Sequence, residues 1–149
     1  MYWTRDKSIV LSQVCVMVFM ALMAALDIGG YWAVRWFVNL RGMHRQSETG
    51  MMVTLYLCSI FIWIALWEMW KLLGNLKAEK IFTQENVGLM RGISWCCVGV
   101  ACICLVSAVW YLPFVFVFIA AGFVALIVRI VKNVFQQAIA MKSELDLTI

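Results

Sequence analysis

Charged residues are scarce in this chain and make up only 13% of its 149 residues. A soluble domain usually holds about a quarter charged residues and about half apolar ones. Here 65% of the residues are hydrophobic, and a water-soluble fold of this size has no interior large enough to bury that much apolar surface. The composition therefore excludes a soluble globular domain and predicts a protein that is surrounded by lipid.

Proline is almost absent, with Pro113 as its one example, and long uncharged runs continue without interruption. A transmembrane helix needs roughly 20 predominantly apolar residues. The runs predict a single domain with spans at about 9–27, 51–70, 92–111 and 113–131, a middle loop at about 71–91 and a tail at about 132–149. They lack the period-two alternation of barrel strands. The predicted fold is therefore all-α, with four transmembrane helices in two hairpins.

The tail is predicted to continue the fourth span as an amphipathic helix. Its apolar residues recur at spacings of three and four, as Val131, Val134, Phe135, Ala138, Met141 and Leu145. Such a helix lies on the membrane surface, packs against the middle loop or holds a partner, and the sequence leaves these alternatives open. Residues 28–38 likewise either continue the first helix or bend at Gly29-Gly30 to lie along the outer surface.

Lysine and arginine are distributed unevenly between the two sides of this layout. Nine lie on the side of both termini and the middle loop, whereas the other side has only Arg35, Arg41 and Arg45. The positive-inside rule therefore predicts that both termini are cytoplasmic. We interpret the net charge of +4 as attraction to an anionic inner leaflet, and nucleic-acid binding is not expected.

Patterns for catalysis and metal binding are also absent from the sequence. His44 is the only histidine and has no cluster of carboxylates or cysteines beside it, whereas a metal site needs several ligands. No H-E-x-x-H, glycine-rich phosphate loop or G-x-S-x-G motif occurs. We therefore expect no enzymatic activity, no cofactor and no metal site.

The six cysteines lie in or beside the apolar spans and form no C-x-x-C pair. Buried cysteine usually packs as a small hydrophobic residue, and packing is the expected role here. Cys97 and Cys104, seven residues apart on one helical face, are the only pair that merits a test.

Polar groups are rare within the predicted spans. Asp27 lies at the end of the first apolar run and is expected near the outer interface, with Arg35 about two turns further on. The two side chains either form an ion pair at the outer mouth or are solvated separately at the interface, and the second alternative is favoured because charges at membrane depth are costly. The remaining midplane candidates are Ser12, Gln13, Ser59 and Ser107, and Trp63 is the one tryptophan clearly inside a span.

The polar stretch from Ile81 to Trp95 has the pattern of a helix start. Thr83 is the predicted N-cap, and Glu85 follows in the first turn, where a negative charge favours the positive end of the helix dipole. Phe82 and Val87 have the spacing of a hydrophobic staple. Asn86 and Arg91 are not needed for a cap.

The same stretch carries a resemblance to a family. The residues Phe82-Thr83-Gln84-Glu85-Asn86-Val87, followed by Leu89, Arg91 and Ile93, resemble the central motif of the DUF2975 family of small bacterial membrane proteins. The ending Glu144-Leu145-Asp146-Leu147-Thr148-Ile149 is similar to that family's ending. Two departures are Leu145, where asparagine is common, and Glu79-Lys80-Ile81, which replaces a glycine-proline approach.

The resemblance implies a four-span protein of the bacterial inner membrane, from a family with no established biochemical activity. Family members are often encoded beside a small helix-turn-helix regulator, which implies a cytoplasmic protein partner. The leading hypothesis is a regulatory protein that binds or sequesters such a partner on its cytoplasmic face. The residues expected to bind it are Phe82, Glu85, Asn86, Arg91, Glu144, Asp146 and Thr148.

A second hypothesis is a membrane sensor, exporter or immunity protein for a small amphipathic compound. It rests on the aromatic segment from Tyr31 to Phe37 and on the ten methionines, which adapt easily in packing. Small residues along the first and fourth spans are also suited to helix packing within one chain or in a homo-oligomer, and the sequence does not separate these.

Overall fold

The structure, a computed structural model, describes residues 2–148 and the side chains of residues 4–148. Over that range the chain forms four helices and no strand, namely α1 (Tyr2–Arg41), α2 (Arg45–Lys77), α3 (Gln84–Ser107) and α4 (Phe114–Thr148). Each helix is long and apolar enough to cross a membrane. The predicted all-α, four-span fold is confirmed, and the four helices support a multi-pass membrane protein.

The helices pack in chain order, with α1 on α2, α2 on α3 and α3 on α4. Within the described range no other helix pair makes comparable backbone contacts. Most of the buried side chains lie on α3, which has a neighbour on each side. Long apolar side chains cover the outward surfaces of α1 and α4, as expected for helices that face lipid.

The first helix runs without a break through Gly29-Gly30 to Arg41. The segment 28–38 therefore continues α1, and the helix is about 60 Å long at 1.5 Å per residue. It stops at Gly42, whose φ of 62° is a conformation that glycine adopts without steric cost. The backbone N–H groups of Gly42 and Met43 donate to the carbonyls of Asn39 and Val38 at 3.3 and 3.1 Å, which forms a Schellman motif.

The second helix ends in the same motif with a different residue at its turn. Glu79 has a φ of 63°, and the N–H groups of Glu79 and Lys80 donate to the carbonyls of Leu76 and Asn75 at 3.2 and 2.9 Å. Glycine is the usual residue at this position. Because Glu79 stands near the position where the family often has glycine, a residue with a side chain adopts the left-handed backbone conformation here. The Glu79 carboxylate accepts a hydrogen bond from Arg5 of α1 at 3.2 Å.

The fourth helix continues through the tail to Thr148 as one element. Phe135, near the start of the tail, packs against Phe82 of the α2–α3 loop with ring centroids 5.7 Å apart. Of the three alternatives for the tail, packing against the middle loop therefore holds for its first part. Beyond Phe135 the apolar side chains of Met141, Leu145 and Leu147 are 59, 63 and 84% exposed.

Two adjacent glycines of α1 allow a matched test of its packing on α2. A Cβ at Gly30 would overlap the Leu55 side chain, whereas a Cβ at Gly29 would meet nothing within 4 Å. We expect Gly30→Val to lower the free energy of unfolding by about 1–3 kcal/mol, because overpacking forces neighbours to move. Gly29→Val should change it by no more than about 0.5 kcal/mol. Thermal unfolding of both variants in mild detergent measures the difference, and equal effects would contradict the α1–α2 contact.

Candidate functional site

Asn86, in the first turn of α3, is the residue on which the α2–α3 loop depends. Its side chain is fully buried, with 0% exposure, and its amide nitrogen donates to the carbonyls of Lys80 and Ile81 at 2.6 and 2.8 Å. Its amide oxygen accepts from the Asn75 side chain of α2 at 2.9 Å. One side chain therefore joins the end of α2, the loop and the start of α3.

The helix start that the sequence predicts is present at this loop. Thr83 is the N-cap of α3, and its hydroxyl accepts the backbone N–H of Asn86 at 3.4 Å. Glu85 lies in the first turn, where its charge suits the helix dipole. Val87 is 2% exposed, whereas the ring of Phe82 packs on Phe135. The staple between Phe82 and Val87 stays a prediction.

The prediction that Asn86 binds a partner does not fit this geometry. A side chain with no exposed surface, whose two N–H donors are both used inside the loop, offers nothing to another protein. Its role is to hold the loop together. The sequence singled out Asn86 because a cap does not need it, but the spacing of Asn75 and Asn86 did not reveal that the two side chains meet.

The other predicted partner-binding residues lie in two separate places. Glu85, Arg91 and Phe82 are exposed at the loop, and one side of the Phe82 ring packs on Phe135. Glu144, Asp146 and Thr148 are exposed near the end of α4, and Ile149 lies outside the described residues. Thr148 is thirteen residues beyond Phe135, about 20 Å along the helix. The structure therefore does not gather these residues into one patch.

Asp27 forms the most polar contact between α1 and α2. Its two carboxylate oxygens accept hydrogen bonds from the Ser59 hydroxyl at 2.6 Å and from the Trp63 indole N–H at 2.7 Å. The Tyr56 hydroxyl donates to the backbone carbonyl of Asp27 at 3.3 Å. Three residues of α2 thus hold one polar position of α1.

This arrangement corrects the two alternatives for Asp27 and Arg35. The ion pair is not formed, because Asp27 is bound by Ser59 and Trp63 while Arg35 donates to the Tyr31 hydroxyl at 3.2 Å. Separate solvation does not describe Asp27 either, because both of its oxygens have protein donors. The expected depth changes as well, since Ser59 lies in the middle of the apolar run from Met51 to Trp67.

Two further contacts join α2 to α3 in the apolar region. The hydroxyls of Thr54 and Ser107 form a short buried hydrogen bond, and the Thr54 hydroxyl also donates to the Gly50 carbonyl at 2.8 Å. The Sγ atoms of Cys58 and Cys104 lie 4.0 Å apart and are buried. The cysteine pair that the structure brings together is therefore Cys58 with Cys104, on two helices, and not Cys97 with Cys104 on one.

A cavity with a volume of about 640 Å³ lies between α2 and α3. Gln46, Thr49, Thr54 and Ser107 supply its polar groups, Trp110 supplies an aromatic wall, and the rest of its lining is mostly apolar. Its size falls in the range of about 300–1,000 Å³ that is typical of small-molecule pockets. For metals, no group of three or more histidine, cysteine, aspartate or glutamate side chains is placed to hold an ion within the described part of the chain.

Removal of the Asn86 side chain is expected to weaken the loop. Asn86→Ala leaves the carbonyls of Lys80 and Ile81 without their donors, so the free energy of unfolding should fall by about 2 kcal/mol. Gln84→Ala, which removes an exposed amide two positions away, is the matched control and should change stability by less than about 0.5 kcal/mol. Thermal unfolding in detergent compares the two, and equal melting temperatures would show that the loop does not depend on Asn86.

A double-mutant cycle tests the contact between Asp27 and Trp63. Asp27→Leu removes the acceptor and Trp63→Phe removes the N–H donor. We expect a coupling energy of about 0.6–1.7 kcal/mol, between the average and the maximum measured for polar contacts between transmembrane helices. A second cycle pairs Asp27→Leu with Trp67→Phe, one turn away and 58% exposed, and should give no coupling. Unfolding in mixed micelles provides the four free energies, and two equal coupling energies would contradict the contact.

Comparison with known proteins identifies a family for this chain. A family model described as a protein of unknown function, DUF2975, matches residues 9–149. Comparisons with curated proteins and with solved structures give no match. The matched range contains the loop around Asn86, the contact of Asp27 with α2 and the extended fourth helix. The chain therefore belongs to the DUF2975 family.

Proposed function

We propose that this protein is a non-enzymatic regulatory protein of the bacterial inner membrane, with both termini in the cytoplasm. Its cytoplasmic face binds or sequesters a protein partner, and a helix-turn-helix transcription regulator is the form that the family resemblance suggests. The observation that carries the proposal is the end of α4, which continues as a helix beyond the loop with exposed apolar and acidic side chains.

The exposed end of α4 has the chemistry of a binding helix. Met141 and Leu145 lie four residues apart on one helical face and are 59 and 63% exposed. Leu147 is 84% exposed near the end of the helix, and Glu144 and Asp146 are exposed beside these residues. An amphipathic helix of this kind can place its apolar side chains in the groove of a partner. Its carboxylates complement the basic surface that DNA-binding proteins use for phosphate contacts. Binding there would compete with DNA for the regulator.

The loop supports the tail without forming part of the same surface. Asn86 fixes the loop from inside, and Phe82 gives α4 a contact at Phe135. Glu85 and Arg91 remain exposed at this level. A partner that is held mainly by the tail would reach the loop only with a second part of its surface.

Site-specific photo-crosslinking in living cells tests the proposed surface. A photoreactive residue at Leu147 should form a crosslink to a DNA-binding protein, and one at Leu112, 73% exposed at the opposite end, should not. Deletion of residues 143–149 should change transcription of that regulator's target genes several-fold. The matched substitutions Leu147→Lys and Leu112→Lys test which end of the protein matters. Only Leu147→Lys should change transcription as the deletion does.

The proposal fails if Leu147 yields no protein crosslink and transcription is unchanged by the deletion. It also fails if Leu112→Lys alters transcription as much as Leu147→Lys. Membrane levels of each variant must be equal for the comparison, because a loss of folded protein would lower both readouts without any loss of binding.

The cavity between α2 and α3 favours a second candidate function, a sensor, exporter or immunity protein for a small amphipathic compound. Its volume of about 640 Å³ and its paired hydroxyls at Thr54 and Ser107 suit an apolar molecule with one polar group. Trp32 and Trp36 of the aromatic segment are exposed on α1 and do not line this cavity. Saturable binding or flux in reconstituted vesicles would favour this role, and no response across a broad panel of compounds would count against it.

A further inference from the structure

A small cavity lies between α3 and α4, towards the end of the protein with the α2–α3 loop. Its volume is about 110 Å³, well below the range of about 300–1,000 Å³ for drug-sized ligands. It can therefore admit only a small group of atoms. The residues that line it are Arg91, Ser94, Trp95, Val98, Arg129 and Lys132.

The packing of α3 on α4 brings these residues together. The Ser94 hydroxyl donates to the backbone carbonyl of Ala125 at 3.1 Å, and Ala125 is 5% exposed, so the two helices approach closely at this level. Arg91 is one turn from Ser94 on α3, and Arg129 is one turn from Ala125 on α4. Residues three and four apart share a helical face. Both helices therefore direct cations towards the same space.

The positive charges of this cavity have no acidic partner. No carboxylate lines it, and the ion pair found among the described side chains joins Arg5 to Glu79 elsewhere. Glu68 packs against Gly92 on the α2 side of α3 and is not part of the lining. Three like charges around one small space repel each other, and an anion between them would remove that repulsion.

The cavity also lies where the apolar runs of both helices meet polar sequence. The run of α3 starts at Ile93 and that of α4 ends at Val128, so Arg91 and Arg129 flank the boundary on the two helices. Trp95 is 68% exposed beside them, and tryptophan favours the membrane interface. This is the depth at which the phosphate groups of phospholipids are found.

We infer that the cavity binds the phosphate of an anionic phospholipid headgroup. The Arg91 and Arg129 guanidinium groups offer paired N–H donors that match phosphate oxygens, Lys132 adds a third cation, and Trp95 lies along the glycerol and upper acyl chains. Basic pockets between helices on the cytoplasmic side are suited to such headgroups. The inference does not depend on the regulatory partner, because none of its residues lies in the exposed end of α4.

Thermal unfolding of the full chain in a neutral detergent tests the site. Three probes are titrated separately: short-chain phosphatidylglycerol, short-chain phosphatidylcholine and inorganic phosphate. Phosphatidylglycerol should raise the melting temperature with saturation. The same rise should need at least tenfold more phosphatidylcholine or inorganic phosphate. Native mass spectrometry of the same sample, mixed with equal amounts of both lipids, should show phosphatidylglycerol retained.

Matched variants locate the binding. Arg129→Gln combined with Lys132→Gln should weaken the phosphatidylglycerol response at least tenfold, since charge-assisted hydrogen bonds are lost. Lys77→Gln combined with Lys142→Gln removes the same charge outside the cavity and should leave the response unchanged. If the first double variant does not fold, Arg91→Gln replaces it, and the titration of the unaltered chain decides independently.

Three results would overturn the inference. An equal response to the two lipids would show that the headgroup charge is not recognised. An equal loss in both double variants would show that net charge alone attracts the lipid. A response to inorganic phosphate at the same concentration as phosphatidylglycerol would assign the cavity to a free anion instead of a lipid.

Discussion

Polar groups between apolar helices must find their partners inside the protein, because lipid offers none. Each of the three pairs of helices that pack together has such a contact. Asp27 joins α1 to Ser59 and Trp63 of α2, Thr54 joins α2 to Ser107 of α3, and Ser94 joins α3 to a carbonyl of α4. Apolar packing alone does not fix how far one helix is shifted along its neighbour, since lipid chains are as apolar as leucine. The polar contacts fix the register, and the cavities and the tail are positioned as a consequence.

The loop between α2 and α3 applies the same rule at the membrane surface. A turn leaves backbone carbonyls free, and Asn86 supplies donors to those of Lys80 and Ile81 from a buried position. The Schellman motif at Glu79 satisfies the last carbonyls of α2, while Thr83 satisfies an N–H of α3. Thr83 and Asn86 of the central family motif thus close a turn between two spans, and their first role is architectural.

The sequence was sufficient for most features that depend on one helix at a time, although it left open whether residues 28–38 continue α1. Composition and run length predict four spans, and local spacing predicts the cap at Thr83. Contacts between helices were not predictable, because they depend on how far each helix slides along its neighbour. The sequence predicted the membrane depth of Asp27 from the end of its own apolar run, whereas its contacts with α2 determine that depth. Trp63 and Ser59 were visible as unusual residues inside a span, and that signal pointed to a polar contact without naming its partner.

The same register decides how far the exposed end of α4 reaches. Arg129 lies at the boundary of the apolar run, and α4 continues for nineteen residues beyond it to Thr148 as a single helix, about 28 Å at 1.5 Å per residue. Phe135 contacts Phe82 after the first third of that length, so the loop supports only the base of the extension. A lipid phosphate held at Arg129 would fix this base at the headgroup level. The proposed partner, bound near Leu147, would then be held away from the bilayer with its other surfaces exposed.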